Sequence, residues 1–274
     1  MRRTPAWWTV GGVLIGAWAV LPMAWIVSLS LTAPAELGVA RGFLPSSPTL
    51  DNYRAVFATP LFVAALRNSI AIACLATSLA VAIATLSAWA VSRLGAPGSR
   101  LLLLVALGIA MFPQAALIGP LFDIWRRTGL YDTWAGLVLP YLTFALPLAI
   151  WTLTAFFRGL PWGLVDAAHL DGATRWQALR SIVVPLAAPG IATTAILTFF
   201  FCWNDFVFAI TLTSTDRART VPAALAFFTG ASQYQSPVTA IAAASVVVTI
   251  PVALLVLCFQ RRIVAGLTAG AVKG

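Results

Sequence analysis

Charge is what this 274-residue chain has least of: only 9% of its residues are Asp, Glu, Lys or Arg, where a soluble domain carries about a quarter. With 61% hydrophobic residues and a mean hydropathy of +0.93, an ordinary soluble domain is excluded. Lysine is nearly absent. Among 17 basic residues only Lys273 is not arginine, so the net charge of +9 is read by position along the chain, and no nucleic-acid partner is expected. Histidine is limited to His169. Cys74, Cys202 and Cys258 fall singly inside apolar runs without metal or redox spacing and read as small core packers, so no metal site is expected. The eight acidic residues are scattered rather than paired, which gives no acid/base constellation. No Gly-x-x-x-x-Gly-Lys-Ser/Thr loop is present to cradle ATP.

What the chain has instead is long apolar runs. A spanning helix needs about 20 apolar residues, and six stretches qualify, at about 8–31, 62–92, 100–122, 134–157, 182–212 and 238–260. The first follows Met1-Arg-Arg, is too long for a signal-peptide core and is expected to stay as an anchor, with Trp7, Trp8 and Trp25 near its ends in the interfacial belt. An even number of spans puts both termini on one side. With those termini cytoplasmic, ten Arg and Lys fall on inner segments and seven on outer ones, the direction that the positive-inside rule favours. The expectation is an all-α polytopic membrane protein, a single domain over 1–274 with a cytoplasmic loop at about 158–181 and a tail at 261–274.

The loop carries the most order. Pro161 suits a first helical turn, Ala167, Ala168 and Leu170 favour helix, and Gly172 ends it at a hinge. Beyond the hinge Trp176, Leu179 and Ile182 recur at a spacing of three, as one stripe of a second helix that Pro185 and Pro189 distort where it enters the bilayer. Asp171 and Arg175 stand four apart and are placed to pair across the hinge. In the span that follows, Trp203-Asn204-Asp205-Phe206 puts a carboxylate about 24 Å along the helix beyond Pro189, inside the membrane. Three readings stand side by side there: aromatic rings and polar groups for a sugar, a polar clamp between helices, or an Asp already near the outer interface. Met111-Phe112-Pro113-Gln114 and Gly119-Pro120 interrupt the third span and Pro140 and Pro147 the fourth, which predicts kinks beside a cavity or beside one another. Arg67 sits where it can snorkel outward, and Asn68-Ser69 beside it suits hydrogen bonding between helices. The segment 32–60, with four prolines and Thr-Leu-Asp-Asn-Tyr53, reads as an ordered external loop with a short amphipathic turn.

The order Asp166-Ala167-Ala168-His169-Leu170-Asp171-Gly172-Ala173, then Trp176, then Ile182-x-x-Pro185-Leu186-x-x-Pro189, resembles the EAA loop of type I ABC-importer permeases. Asp166 stands where that family most often has Glu. The tail Gln260-Arg261…Gly266-Leu267-Thr268-x-Gly270-Ala271-Val272-Lys273-Gly274 is similar to the ending of the second permease of maltose- and trehalose-type importers. Trp203 to Phe206 likewise resembles a carbohydrate-permease motif. The resemblance covers nearly the whole chain and implies a non-catalytic permease subunit in a bacterial inner membrane. It implies a homologous permease partner, two cytoplasmic ATPase subunits that bind ATP and magnesium, and an extracytoplasmic sugar-binding protein.

The resemblance also implies roles by position. Asp166, Ala167, Ala168, His169, Asp171, Gly172, Ala173 and Trp176 meet the ATPase. Trp203, Asn204, Asp205 and Phe206 line the path; Gln233, Tyr234 and Gln235 meet the binding protein; and Gly270 and Lys273 in an adaptable, non-helical tail lie at the ATPase. A disaccharide such as trehalose or maltose is the expected substrate, with a glycerol phosphodiester or an amino sugar as alternatives. Two rivals of other classes use single carboxylates: a proton-coupled transporter through Asp205, or a membrane-embedded lipid-modifying enzyme through Asp205 with Asp123 or Asp132.

Overall fold

Lipid offers no partner to a bare N–H or C=O, so a spanning segment of such apolar sequence must satisfy its backbone internally as helix. Among the described residues of the computed structural model, 6–38, 42–95, 97–228 and 238–271, all regular structure is helical. In chain order the α-helices are α1 Ala6–Ser30, α2 Asp51–Ala58, α3 Pro60–Ser92, α4 Ser99–Ala110, α5 Ile118–Thr128, α6 Trp134–Arg158, α7 Gly163–Leu170, α8 Arg175–Ala178, α9 Val184–Trp203, α10 Val207–Leu212, α11 Val221–Ala226 and α12 Val238–Ala271. Among the described residues five helical stretches are long and apolar enough to cross a membrane, or six if α4 and the segment Gln114–Thr128, bent by 88° from one another, count as one span. The stretch expected as the third span is broken where Pro113, fixed in φ and without an N–H, follows the end of α4.

Two compact units form, Met1–Val63 with Ala224–Pro251, and Ala64–Ala223 with Val252–Gly274. In the first, the segment after α1 is ordered as expected. Asn52 is buried and donates from Nδ2 to the Ser30 and Thr32 carbonyls, both at 2.8 Å, and the Tyr53 hydroxyl lies 2.7 Å from Ser30 Oγ. Apart from Ser28 and Ser30 at its end, no residue of the stretch Val10–Ser30 of α1 is buried.

The second unit is built on α6 and α9. Small residues allow them close approach: Gly190 on α9 lies under the ring of Phe156. A core of Ala84, Ala88 and Trp89 from α3, Ala149, Leu153 and Phe157 from α6, and Leu179, Val183 and Ala187 leading into α9 runs down to the loop, where Val165 of α7 joins it. Cys202 is a buried packer as expected, whereas Cys74 and Cys258 are exposed on apolar helices.

The fifth span, expected at 182–212 with a distortion at Pro185 and Pro189, is interrupted at both ends. It begins with a π-turn, Leu179–Val183, and α9 stops at Trp203. Pro185 has no N–H for the Ser181 carbonyl and crowds it, so the turn before the proline opens to the wider spacing. The tail departs from expectation, because α12 continues as helix through Gly270 to Ala271. Ala265 before Gly266, and Leu267 and Ala269 between Gly266 and Gly270, carry enough helix propensity to prolong it.

Candidate functional site

Two regions of the second unit carry the residues that the sequence singled out. The first is the loop between α6 and α9. α7 ends at Leu170, Gly172 takes a left-handed φ of +88°, and Thr174 opens α8 as a full capping box, its hydroxyl accepting from the Gln177 N–H and Gln177 accepting from the Thr174 N–H at 2.8 Å. His169 Nδ1–H donates to the Ala173 carbonyl at 2.9 Å and closes the turn. Hinge and helix are where expected, and none of Asp166, Ala167, Ala168, His169, Asp171, Gly172, Ala173 and Trp176 is buried.

Two expectations fail there. Asp171 and Arg175 make no ion pair among the described residues, because the left-handed turn puts them on separate helices. Trp176 is 63% exposed and does not share the buried stripe of Leu179. Ala178, Leu179, Val183 and Ala187 form that stripe, since the π-turn shifts the inward face by a residue. Leu164 at 51%, Leu170 at 90% and Trp176 thus leave a large apolar surface uncovered on either side of the Gly172 turn.

The base of this loop is fixed in a way that sequence reading missed. Asp166 forms an ion pair with Arg93, just past the end of α3. The Arg93 guanidinium also lies 5.8 Å from the centre of the Trp162 ring, and Trp162 packs on Trp89 at 5.8 Å. Val165, 1% exposed, pins the inward face of α7 into the core.

The second region surrounds the end of α9. Trp203 is buried and stacks on Phe199 at 5.5 Å, so it faces the core rather than an open path. Asn204, Asp205 and Phe206 lie in the break between α9 and α10. Asp205 Oδ2 accepts from the Tyr141 hydroxyl of α6 at 2.9 Å and from the Ala209 N–H at 3.1 Å, so the carboxylate joins α6 to the first turn of α10. Asn204 Nδ2 donates to the Phe200 carbonyl at 2.9 Å. Asn204, Asp205 and Phe206 all line a cleft of about 660 Å³ with Phe200, Phe201 and Gln114. Gln114 sits at the break of the third span, so that interruption does border a cavity, and Pro147 of α6 lines a neighbouring cleft of about 480 Å³.

Beyond α10 the chain is latched rather than loose. Asn68 of α3, fully buried, donates to the Asp216 and Arg219 carbonyls at 2.8 and 3.1 Å and accepts from Trp134 Nε1 at 3.2 Å. Ser69 Oγ accepts from the Val221 N–H at 2.7 Å. The Asn-Ser pair therefore does hydrogen-bond across elements, as its sequence suggested. Asp132 accepts from the Ser214 and Thr215 N–H groups and the Thr215 hydroxyl. Burial raises its pKa, yet these three donors and nearby Arg217 outweigh that and hold it below the ordinary value. Asp132 and Asp205 thus bind separate partners and form no pair with one another. Gln233, Tyr234, Gln235 and Lys273 lie outside the described residues.

The family described as binding-protein-dependent transport system inner membrane component matches residues 10–267. The chain is 53% identical over 272 residues to the trehalose transport system permease protein SugB of Mycobacterium tuberculosis, covering 99% of each. It is 41% identical to the trehalose/maltose transport system permease protein MalG of Thermococcus litoralis, covering 97% of this chain and 95% of that one. Among solved structures, a chain of a bacterial ABC transporter that imports the acidic polysaccharide alginate superposes with a TM-score of 0.78 at 23% identity, over 95% of this chain and 98% of that one.

Proposed function

Because this chain belongs to the binding-protein-dependent transport system inner membrane component family, we propose that it is one of two homologous permeases of an ATP-driven sugar importer that takes up a disaccharide, trehalose or maltose. The names of relatives at 53% and 41% identity support that substrate class. In this reading both termini and the α7 loop are cytoplasmic, and two ATPase subunits that bind ATP and magnesium carry out hydrolysis. This chain supplies no catalytic group.

The observation that carries the coupling role is the helix–turn–helix from α7 to α8. It is anchored inward by Val165 and Asp166 and offers Leu164, Leu170 and Trp176 outward. An ATPase groove covers that surface, with Gly270 and Lys273 beside it. Closure of the ATPases on ATP moves α7 as a rigid body, α9 swings with it, and the cavity opens outward to a binding protein that rests on Gln233, Tyr234 and Gln235. Hydrolysis resets the cycle.

The test is the ATPase rate of the purified complex with its binding protein, wild type against Gly172→Pro, with trehalose, maltose, an amino sugar and a glycerol phosphodiester added in turn. Proline cannot adopt a φ of +88°, and it removes the N–H that Gly172 donates to the His169 carbonyl at 3.1 Å. Stimulation by trehalose or maltose, lost in an assembled Gly172→Pro complex, is the expected result. Stimulation by the phosphodiester or amino sugar alone replaces the substrate, and failure of any ATPase to co-purify removes the importer reading.

A further inference from the structure

We propose that Gln114 is the residue through which this chain hydrogen-bonds the transported sugar, and that the groove around it takes a neutral polyhydroxylated ligand rather than an anionic one. The proposal rests on the importer reading and names the contact residue within it.

Three observations place the contact there. The clefts of about 660 and 480 Å³ share Gln114, Leu148 and Phe201, so they form one groove with Gln114 at its junction. Each is of the size that holds a small ligand. The backbone holds Gln114 in place: Pro113, at φ −69° and ψ 118°, turns the chain out of α4, and Gln114 begins the 3-10 turn that leads into α5. The side chain is thus presented by a break of 88° in a span rather than along a helix flank.

The third observation is the state of the polar groups. Asp205, the ionisable residue that sequence points to, already accepts from Tyr141 and from the Ala209 N–H. Asn204 commits an Nδ2–H to the Phe200 carbonyl, and both Asp205 contacts fall on Oδ2. The Gln114 side chain makes no hydrogen bond among the described residues, although its carboxamide brings two donor hydrogens and an acceptor oxygen into a lining whose other polar side chains, Asn204 and Asp205, are each anchored within the chain. A polar group left so within a membrane calls for a partner that is itself both donor and acceptor. Adjacent hydroxyls of a pyranose are that partner, and the faces of Phe201 and Trp151 suit the apolar C–H face of the ring.

Charge selects the class. Among the described residues no Arg, Lys or His lines either cleft, and the one ionisable group is a carboxylate. A phosphodiester would meet no counter-charge and one like charge. A neutral disaccharide meets neither difficulty.

The experiment is uptake by proteoliposomes carrying the whole complex with its binding protein and internal ATP, for wild type, Gln114→Ala, Gln114→Leu and Gln114→Asn. Labelled trehalose and maltose are measured separately and in competition. Loss of a bidentate contact predicts at least a ten-fold fall in uptake for Gln114→Ala and Gln114→Leu in complexes of unchanged subunit ratio. It also predicts a changed trehalose-to-maltose ratio and partial return in Gln114→Asn. A merely structural defect lowers both sugars by the same factor and overturns the proposal. So does wild-type uptake in assembled Gln114→Leu, or loss of the second permease from that variant, which would make Gln114 a subunit contact. Uptake of a glycerol phosphodiester by wild type overturns the charge argument. Absence of ATP-dependent uptake in wild type is a separate failure, that of the importer reading itself.

Discussion

Asn68 offers the cleanest energetic test of the fold. Its side chain is fully buried and makes three hydrogen bonds that tie α3 to the segment after α10 and to Trp134 at the start of α6. Asn68→Ala removes all three. Trp134 Nε1 keeps its second acceptor, the Arg217 carbonyl at 3.0 Å, so the indole is not stranded. The Asp216 and Arg219 carbonyls lose the amide that both accept from. Leaving a buried polar group unsatisfied costs about 1–3 kcal/mol, so the substitution should destabilise the unit by about 2–4 kcal/mol, with some of that recovered where water reaches the segment. Asn68→Asp keeps the shape and the acceptor but replaces the donating NH₂ by a carboxylate facing two carbonyls, and should be worse. The assay is thermal unfolding of the detergent-solubilised complex with hydrogen exchange read along 213–221. The expected result is a lower midpoint together with faster exchange at the Val221 amide, which Ser69 next to Asn68 protects. An unchanged midpoint in both variants would refute the latch, and faster exchange spread evenly over α3 would refute its confinement to this segment.

Gly190→Ala would put a Cβ 2.5–2.7 Å from Phe156 ring atoms, so it should destabilise by about 1–3 kcal/mol, and Phe156→Leu in the same chain should relieve part of that in a denaturation series. Arg93→Ala and Asp166→Ala each break a pair whose side chains are 31% and 55% exposed. A double-mutant cycle on stability should return a coupling of only about 0.5–1 kcal/mol, whereas sugar carried per ATP should fall in both single variants; additive stability effects would deny the pair. Asp132 is held below its ordinary pKa in the folded chain, so its stabilisation is complete above the unfolded value of about 4 and fades as pH falls through the folded value. Limited proteolysis should show Asp132→Asn as the more labile chain at pH 7 and the difference closing below about pH 4; a constant difference would contradict it.

Much of this was legible in sequence because it is local. Runs of about 20 apolar residues locate the spans, Gly172 marks the turn, and Pro113 and Pro185 mark where regular helix fails. Thr174 and Gln177 spell a capping box that sequence alone shows and that was passed over. The errors have a physical pattern. A spacing of three puts Trp176, Leu179 and Ile182 on one stripe only in uniform helix, and the π-turn before Pro185 moves the inward face to Ala178, Leu179 and Val183. Asp205 was placed mid-helix because an apolar run does not reveal that α9 ends at Trp203. The pairings Arg93 with Asp166 and Tyr141 with Asp205 join residues 73 and 64 apart, and no periodicity reaches that far.

The two regions that sequence singled out lie at opposite ends of one helix, and this constrains how they communicate. α9 is 20 residues long, about 30 Å, from the π-turn beside the α7–α8 loop to Asn204 at the groove. The loop is attached to the rest of its unit twice. It continues as chain through the π-turn into α9, and Val165, Trp162 and the Asp166–Arg93 pair fasten it to α3. A force applied to Leu164 and Leu170 therefore loads both helices, but only α9 ends at the groove. Gly190, pressed against Phe156, sits in the first half of α9 and holds it to α6 there; in the proposed cycle that contact is the pivot and the π-turn takes up the local strain. Restoring regular helix with Pro185→Ala should then stiffen the input end without touching the groove. ATP hydrolysis would continue while sugar carried per ATP changes, and an unaltered ratio in that variant would remove the π-turn from the transmission.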